Sequence, residues 1–433
     1  MGRAPLVSLC MIVRDGGASL RRCLASARPL ADEIVVVDTG SRDDSVAVAR
    51  SFGATVLERP WDDDFAAARN HGLAAARGRF VLLLDADEVL ECPDPEGLRR
   101  LLGRSDHVAW FVTIHSDLGR GDDLESNVIR LWRHAADVRF RYPIHEQVLP
   151  DLERVAAREG RRFALLADST IRHSGYTPDA IERQGKVERN VRIFRKAVAR
   201  HPDEPYLWFK FADFLRGHAD RRDEALAAAQ RASALLAATP DGPRRRVPYW
   251  SELQAITVAA LLDAKRLDEA LRQLEAEPPD ALGAPAYHYV AALALEEAGR
   301  LDEALHQVDR CCGAKKPPDA TAWRPGLVGP QGEALRARLL LRKGDSPAAL
   351  AAAERALALR PGYPAAIQLR ADAFLQSGRP SEAVASLLAE LKRKEEPRLW
   401  EQVARILSML GKQDEAERCL ARARRRELQP VAE

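Results

Sequence analysis

Apolar and polar positions follow two alternating periodicities over roughly the first 90 residues of the chain. Short continuous apolar runs, typical of buried strands, are separated by stretches in which apolar residues recur every three to four positions, as on one face of a helix. The predicted strands are Leu6–Val13, Glu33–Asp38, Thr55–Leu57 and Phe80–Leu84. The predicted helices between them are Ser19–Ala27, Val46–Ser51 and Ala66–Ala76. Because strands separated by helices pair in parallel, this pattern predicts an α/β sheet.

The pattern changes between residues 108 and 173, where it indicates short strands and irregular loops. Ser126–Arg133 and Thr170–His173 are the clearest strands of this stretch. A long helix is then predicted from Pro178 towards Arg200. We therefore expect a first domain over residues 1–177, a linking helix over residues 178–202 and a helical domain over residues 203–433.

The helical domain repeats itself. Marker alanines recur at steps of 34, 45, 34 and 33 residues, at Ala270, Ala304, Ala349, Ala383 and Ala416. Twelve positions before each stands a small or β-branched residue, namely Val258, Ala292, Ala337, Ala371 and Ala404. Five positions before the last four marker alanines stands a glycine, namely Gly299, Gly344, Gly378 and Gly411. This is the period of tetratricopeptide repeats, in which small residues let two helices approach and a turn requires positive φ. The longer step indicates a loop inserted around Pro317–Pro330, and a plain helical bundle is the alternative.

Composition narrows the class of partner. The chain has 66 basic and 64 acidic residues and a net charge of +2, so neither nucleic acid nor an anionic membrane is indicated. Its apolar runs are too short to span a bilayer, so we expect no integral membrane segment and a cytoplasmic location. The six cysteines form no C-x-x-C pair, which argues against a disulfide framework and a structural zinc site.

Acidic residues follow two of the predicted strands, where ligands of parallel sheets bind. Asp85 and Asp87 come directly after Phe80–Leu84. Their carboxylates are hard oxygen ligands that suit Mg²⁺ or Mn²⁺ bridging a diphosphate. Asp38 ends an earlier strand, where its carboxylate can accept the imide N–H of a uracil or simply cap a turn.

The motifs together resemble the family 2 glycosyltransferases of the GT-A fold. The segments that carry the resemblance are Leu9–Val13, Asp32–Ser41, Trp61–Phe65, Ala68–Asn70, Leu84–Glu88, Arg130–Arg133, Ile144–Glu146, His173–Tyr176, and Lys186 with Arg189 and Asn190. Their order is similar to the subgroup with tetratricopeptide repeats after the transferase, which includes S-glycosyltransferases of bacteriocin peptides. One departure is Arg14-Asp15-Gly16-Gly17, where the family usually has Lys-Asn-Glu-Glu.

The resemblance implies a fold and a donor site. The fold is an α/β GT-A nucleotide-sugar-binding domain with a mixed, mostly parallel sheet, followed by an all-α tetratricopeptide-repeat solenoid. Asp38 would contact the nucleobase, and Asp85 would lie near the ribose. Arg69 and Asn70 would face the ribose and diphosphate, and His173 would lie on the diphosphate side. A UDP-sugar is the expected donor.

The resemblance also implies a metal and a base. Asp87 and His145 would hold Mn²⁺ or Mg²⁺ on the diphosphate, and Glu146 is the candidate general base of an inverting transfer. A structural role for His145 and a salt bridge for Glu146 are the alternatives. The acidic run Asp62–Asp64 is interpreted as the N-terminus of a helix rather than a second metal site.

Three hypotheses remain open for the acceptor. The repeats could bind a peptide or protein whose side chain receives the sugar, or they could mediate assembly, including a homodimer. Alternatively, the enzyme could act on a glycan or lipid-linked acceptor. The third hypothesis is a repeat scaffold whose transferase is inactive.

Overall fold

The computed structural model describes residues 4–117, 123–173, 185–238, 247–279, 284–316 and 322–427. The chain divides into two compact units. The first comprises Met1–Pro248 with Lys316–Pro325, and the second comprises Tyr249–Lys315 with Gly326–Glu433. Several predicted features lie outside the described ranges, including Ser174–Tyr176 of one motif and the start of the linking helix at Pro178.

The first unit contains one nine-stranded sheet with helices on its faces. Its strands are β1 (Val7–Val13), β2 (Glu33–Asp38), β3 (Thr55–Glu58), β4 (Phe80–Leu83), β5 (Glu88–Glu91), β6 (Ala109–Asp117), β7 (Asp123–Arg133), β8 (Phe163–His173) and β9 (Ala322–Trp323). Its helices are α1 (Gly17–Ala27), α2 (Ser45–Ser51), α3 (Phe65–Leu73), α4 (Pro95–Arg104), α5 (Leu149–Glu159), α6 (Lys186–Arg200), α7 (Pro205–Arg216), a 3₁₀ turn (Ala219–Arg221) and α8 (Arg222–Ala237).

The sheet is mixed. Strands β3, β2, β1 and β4 pair in parallel in that order, and β7 continues the sheet antiparallel to β4. Strand β6 is antiparallel to β7 and parallel to β8, and β5 closes this path antiparallel to β8. Along β1, Leu9 and Met11 enter the core on one face of the sheet, while Cys10 enters the core on the other. The continuous apolar run of β1 thus reflects burial on both faces.

The carboxyl ends of β2 and β4 lie on either side of β1 at a similar level. Val13 pairs with Asp38 on one side, and Cys10 pairs with Leu83 on the other. Since neighbouring strands lie about 4.8 Å apart, the ends of β2 and β4 are about 10 Å apart across β1. The topology therefore brings the predicted donor residues to one edge of the sheet.

The second unit is helical. Its helices, together with the short helix α13 of the inserted segment, are α9 (Trp250–Asp263), α10 (Leu267–Ala276), α11 (Pro285–Glu297), α12 (Leu301–Cys312), α13 (Pro325–Val328), α14 (Pro330–Lys343), α15 (Ser346–Leu359), α16 (Pro364–Gln376), α17 (Pro380–Arg393), α18 (Pro397–Met409) and α19 (Gln413–Glu427). All ten predicted packing positions, from Val258 to Ala416, are at most 1% exposed. The repeat interpretation is confirmed, because these small residues form the helix contacts.

The segment inserted between α12 and α14 differs from the predicted loop. It carries the short helix α13 and strand β9, which pairs with β7 at Glu125 and Ser126. Lys316, just before β9 in sequence, forms an ion pair with Glu125. This interruption of the repeats thus completes the sheet of the first unit.

One repeat turn lacks its glycine. Gly299, Gly344, Gly378 and Gly411 all adopt positive φ, as predicted, whereas Lys265 occupies the equivalent turn with φ +60°. The hydrogen bonds are the same in both cases: Lys265 and Arg266 donate to Leu262 and Leu261, as Gly299 and Arg300 donate to Glu296 and Leu295. Lys265 is therefore held in a conformation that favours glycine.

We expect Lys265→Gly to stabilise the second unit by about 0.5–1 kcal/mol, because it removes the left-handed strain of a side-chain-bearing residue. The midpoint of thermal unfolding should rise by about 2 °C. The matched control is Gly299→Lys, which places the same strain in the next repeat and should lower the midpoint. A Lys265→Gly variant that melts at or below the wild-type temperature would contradict the assignment of strain.

Candidate functional site

A chain of buried charges lies at the carboxyl edge of β4. Arg69 of α3 donates from Nη2 to Asp85 Oδ1 at 2.7 Å and from Nε to Glu146 Oε1 at 2.5 Å. Arg130 of β7 donates to Asp85 Oδ2 at 3.2 Å and to Glu88 Oε1 at 2.6 Å. Exposure of the two arginine side chains is only 7% and 10%. Asp85 therefore bridges two buried guanidinium groups, each of which holds a further carboxylate.

The charged groups in this cluster shift one another's pKa values. Burial alone would raise the pKa of Asp85, but Arg69 and Arg130 outweigh it and hold that pKa well below its usual range. Burial, together with the Asp85 carboxylate, raises the pKa of Glu88 to about 7 against the opposing effect of Arg130. Asp85 is consequently ionised at neutral pH, and it keeps a side-chain exposure of 32%.

Two donor atoms in the same cluster have no partner among the described residues. Arg69 Nη1 and Arg130 Nε are buried and make no hydrogen bond there. An unpaired buried N–H of a charged group costs free energy, so the cluster is held together against an unfavourable contribution from these two atoms.

Local contacts fix the positions of Arg69 and Glu146 relative to each other. Asp64 caps α3 by accepting from Ala67 N at 2.8 Å, and Phe65 N donates to the Pro143 carbonyl. The Asn70 amide makes two bonds to the Phe140 backbone, donating to its carbonyl at 2.9 Å and accepting from its N–H at 2.8 Å. Asn70 thus positions the 140–146 segment, and its predicted contact with the donor stays a prediction.

The predicted metal and diphosphate residues are brought together in part. His173 Nε2, at the end of β8, lies 3.3 Å from Asp87 Oδ2. Although burial lowers the pKa of His173, the hydrogen bond and charge of Asp87 raise it above its usual value overall. Throughout the ranges that the structure covers, no group of three or more His, Cys, Asp or Glu side chains is arranged to hold a metal ion.

His145 lies apart from this pair in its contacts. It has a positive φ of 51°, and its ring centroid lies 5.4 Å from that of Phe194 on α6. The residue remains exposed to solvent. Partial desolvation of the ring beside Phe194, followed by the Lys210 ammonium, lowers the pKa of His145 below its usual value. The imidazole is therefore neutral at pH 7, the form in which histidine binds metals.

Asp38 accepts hydrogen bonds from the backbone N–H groups of Gly40 and Ser41. These bonds cap the turn after β2, which is one of the two roles predicted for Asp38, and the residue is only 7% exposed. The neighbouring loop that departs from the family pattern is also fixed, because Asp15 N donates to Ser41 Oγ and Gly17 N donates to Asp43 Oδ2.

The acidic run before α3 has three separate roles. Asp64 caps the helix, which confirms the prediction of a helix N-terminus, and Asp62 pairs with Arg59 at 2.6 Å. Asp63 accepts from Arg192 at 2.8 Å, Lys196 at 2.6 Å and Trp61 Nε1 at 3.1 Å. The run therefore ties α6 to the start of α3.

Sequence reasoning did not assign a role to Glu88 or Arg130, although both lie in the motifs that carry the resemblance. The available signal was Arg130 itself, a charged residue within the otherwise apolar run Ile129–Trp132. Such a residue is expected to have a buried partner.

Comparison with known proteins supports the fold and the family of each region. Residues 8–148 match the family model described as Glycosyl transferase family 2, and residues 340–401 match the tetratricopeptide repeat model. One region of the chain is thus similar to family 2 glycosyltransferases, and a later region is similar to tetratricopeptide repeats.

Relatives match over part of their length. A TPR repeat-containing protein of Synechococcus elongatus is 40% identical over 226 residues, which cover 52% of this chain and 55% of that protein. The SPbeta prophage-derived glycosyltransferase SunS of Bacillus subtilis is 23% identical over 229 residues, which cover 51% of this chain and 52% of SunS. The chain therefore spans about half the length of these curated relatives.

Two further similarities are shorter or weaker. An uncharacterized glycosyltransferase of Rickettsia felis is 32% identical over 84 residues, covering 19% of this chain and 29% of that protein. The crystal structure of S. aureus TarS aligns with a TM-score of 0.36 at 14% identity, over 62% of this chain and 54% of TarS. Separately, none of the described helices combines the length and apolar character needed to cross a bilayer.

We expect Asp63→Asn to lower the free energy of unfolding by about 1 kcal/mol at pH 7, a modest value because Arg192 and Lys196 are half exposed. The hydrogen bond from Arg192, together with the hydrogen bond from Lys196 and the charges of both residues, holds the pKa of Asp63 well below its usual range. The stabilisation is therefore present above pH about 4 and is lost as the pH falls further.

Urea denaturation at a series of pH values measures this effect. The control is Asp62→Asn, which removes an exposed pair with Arg59 and should change stability by less than about 0.5 kcal/mol. If the Asp63→Asn deficit did not shrink as the pH fell from about 4 to about 2, the charge of Asp63 would not be its source.

Proposed function

We propose that this chain is an inverting glycosyltransferase that moves a sugar from a nucleotide sugar, a UDP-sugar, to a side chain of a peptide or protein. The observation that carries the proposal is the Asp85-centred charge chain. It lies within the matched family 2 domain, at the edge of the sheet where parallel strands end, and its arginines retain unpaired buried N–H groups.

The donor would lie along this edge between Asp38 and Asp85. Asp85 has an exposed face and is kept ionised by two arginines, so it can accept from ribose hydroxyls. Arg69 would act on the donor by fixing the positions of the Asp85 and Glu146 carboxylates, since it donates to both. Asp38 would reach the nucleobase while still capping its turn, since a carboxylate accepts several hydrogen bonds.

The donor set at Asp87 fits a divalent cation. The Asp87 carboxylate is a hard oxygen ligand that suits Mn²⁺ or Mg²⁺, and such ions complete their shell with diphosphate oxygens and water. When bound, the metal would offset the charge that develops on the departing nucleoside diphosphate. We propose Asp87 and His145 as the protein ligands, with His173 as a contact on the diphosphate side.

Transfer with inversion needs one base. Glu146 would take the proton of the acceptor hydroxyl or thiol while that oxygen or sulfur forms a bond to the anomeric carbon. The bond from that carbon to the diphosphate oxygen breaks, and its electrons leave with the nucleoside diphosphate. The Arg69 ion pair would hold Glu146 in place and align it with the donor, because the same guanidinium also binds Asp85.

The peptide acceptor is supported by the repeats. Arrays of this class present extended surfaces that bind peptide segments, and ten buried small residues show that this array is regular. An assembly role for the repeats, including a homodimer, is the alternative to direct acceptor binding.

We expect EDTA to abolish turnover of UDP-sugars and Mn²⁺ or Mg²⁺ to restore it, because the diphosphate would leave poorly without a cation. Release of UDP is the measurement. Asp87→Asn should raise the metal concentration needed for half activity, whereas Asp94→Asn, an exposed helix cap, should leave it unchanged. Full activity in chelator would exclude the metal role.

We expect Glu146→Gln to reduce the transfer rate at least ~100-fold, since it keeps the shape of the side chain but cannot accept a proton. Donor affinity, measured by calorimetry with UDP, should change little because the amide oxygen can still accept from Arg69. The control is Glu153→Gln, at an exposed position of α5. A variant that transfers normally, or one that loses donor affinity as much as rate, would show that Glu146 is not the base.

A further inference from the structure

Glu88 closes the turn that carries two of the predicted donor-site carboxylates. The turn runs from Asp85 to Glu88, between β4 and β5. The backbone N–H of Glu88 donates to the Asp85 carbonyl at 3.0 Å, and the backbone N–H of Asp85 donates to Glu88 Oε2 at 2.9 Å. Because these two bonds are reciprocal, the backbone and the side chain of Glu88 together fix the first residue of the turn. Asp87 lies within the turn, directly before Glu88.

Arg130 joins the Glu88 carboxylate to the Asp85 carboxylate. Its Nη2 atom donates to Glu88 Oε1 at 2.6 Å and to Asp85 Oδ2 at 3.2 Å. Glu88 thus uses one carboxylate oxygen for the backbone of Asp85, and the other for the guanidinium that contacts the Asp85 side chain. Both the position and the direction of the Asp85 carboxylate consequently depend on Glu88.

A β-bulge in β7 brings Arg130 to this turn. Leu131 and Ile129 pair with consecutive residues of β6, so the register between the two strands skips Arg130. Ile129 and Trp132 consequently enter the same hydrophobic core although they lie three positions apart, which the alternation of a regular strand does not allow. Bulges re-aim side chains in this way, and they are common next to active sites.

Glu88 lies beneath the edge of the sheet rather than on its surface. It is 2% exposed, whereas the side chains of Asp85 and Asp87 are 32% and 38% exposed. A ligand can therefore contact the two aspartates while Glu88 stays covered. Glu88 also pairs with His173 in the register of β5 and β8, so the turn, β7 and β8 meet at this residue.

Stability alone does not require an ion pair at this position. Removing a carboxylate and a guanidinium from water is unfavourable, and apolar residues of similar volume often stabilise a core equally well. Apolar residues cannot, however, accept from the Asp85 N–H or hold a guanidinium against the Asp85 carboxylate. The Glu88–Arg130 pair therefore gives Asp85 a fixed direction, which apolar packing would not supply.

We propose that Glu88, together with Arg130, is a positioning residue for the donor, which holds Asp85 and Asp87 in the orientation that binds a nucleoside diphosphate and its divalent cation. This inference rests on the proposed function. Glu88 contacts neither the nucleotide nor the cation, and it acts through the backbone and side-chain bonds that it makes to the turn. Without these bonds the two aspartates would sample several orientations, and fixing them on binding would weaken the affinity for both ligands.

The test is Glu88→Gln in the full chain. Glutamine has nearly the same shape, but its single carbonyl oxygen cannot replace both carboxylate oxygens, and its NH₂ group faces either Arg130 or the Asp85 N–H. Calorimetric titration with UDP in the presence of Mn²⁺ measures the result. We expect the Kd for UDP to rise at least roughly tenfold, as when a hydrogen bond to a charged group is lost. The Mn²⁺ concentration for half-maximal UDP binding should rise as well.

The matched control is Glu91→Gln, three positions further along β5. Glu91 also accepts from an arginine, but its partners are Arg172 and Thr170 of β8. Its replacement should therefore leave the Kd for UDP and the Mn²⁺ requirement unchanged.

Arg130→Lys is a second variant of the same ion pair. Lysine keeps the positive charge, but its compact ammonium does not reproduce the planar fork of a guanidinium, so the Kd for UDP should again rise. Thermal unfolding without ligand measures the stability of each variant separately from its binding. Wild-type UDP affinity in a folded Glu88→Gln or Arg130→Lys protein, even a less stable one, would show a purely structural pair and overturn the proposal.

Failure of the inference and failure of the proposed function give different results. If wild type binds UDP with Mn²⁺ and both variants bind it equally well, Glu88 is not a positioning residue while the proposed function stands. If wild type neither binds UDP with Mn²⁺ nor releases it from any UDP-sugar, the proposed function itself is wrong.

Discussion

The buried guanidinium of Arg69 is the interaction on which the rest of the site depends. It is removed from water and must be neutralised, and the two carboxylates that do so come from different parts of the chain, Asp85 after β4 and Glu146 shortly before α5. Losing either partner would leave a charge uncompensated at the edge of the sheet. The cap at Asp64 and the Asn70–Phe140 bonds can be understood as the means of holding this one side chain in position.

The sequence predicted those elements whose pattern of apolar residues is set directly by burial. β1, β2 and the packing alanines were found because apolar runs and a 34-residue step follow directly from which faces are buried. Prediction from the sequence failed for elements that are determined by contacts between residues far apart in the sequence. β8 begins at Phe163, well before the predicted Thr170, and its first residues Phe163–Leu166 are paired with Ala109–Val112 of β6, a strand distant in the sequence. Helix α5 was missed in a stretch interpreted as irregular.

The candidate site divides in the same way. Asp38, Asp85 and Asp87 follow strand ends, which the pattern of the chain reveals, but their partners could not be predicted. Nothing local indicates that Asp87 meets His173, since the pairing of β5 with β8 brings them together across 86 residues (173 − 87). The role of Arg130 likewise depends on β7 lying beside β4. Strand order is a property of the whole sheet and leaves no trace in the spacing of a motif.

Strand β9 has a consequence for synthesis and folding. It pairs with Glu125 through Trp323, which lies 198 residues later in the chain (323 − 125). As the chain leaves the ribosome, β1 to β8 can assemble first, but the last strand of this sheet arrives only after several repeats have been made. The sheet of the first unit is therefore completed by a segment translated between helices α12 and α14 of the repeats, so completion of the sheet waits for the synthesis of the repeats that precede it.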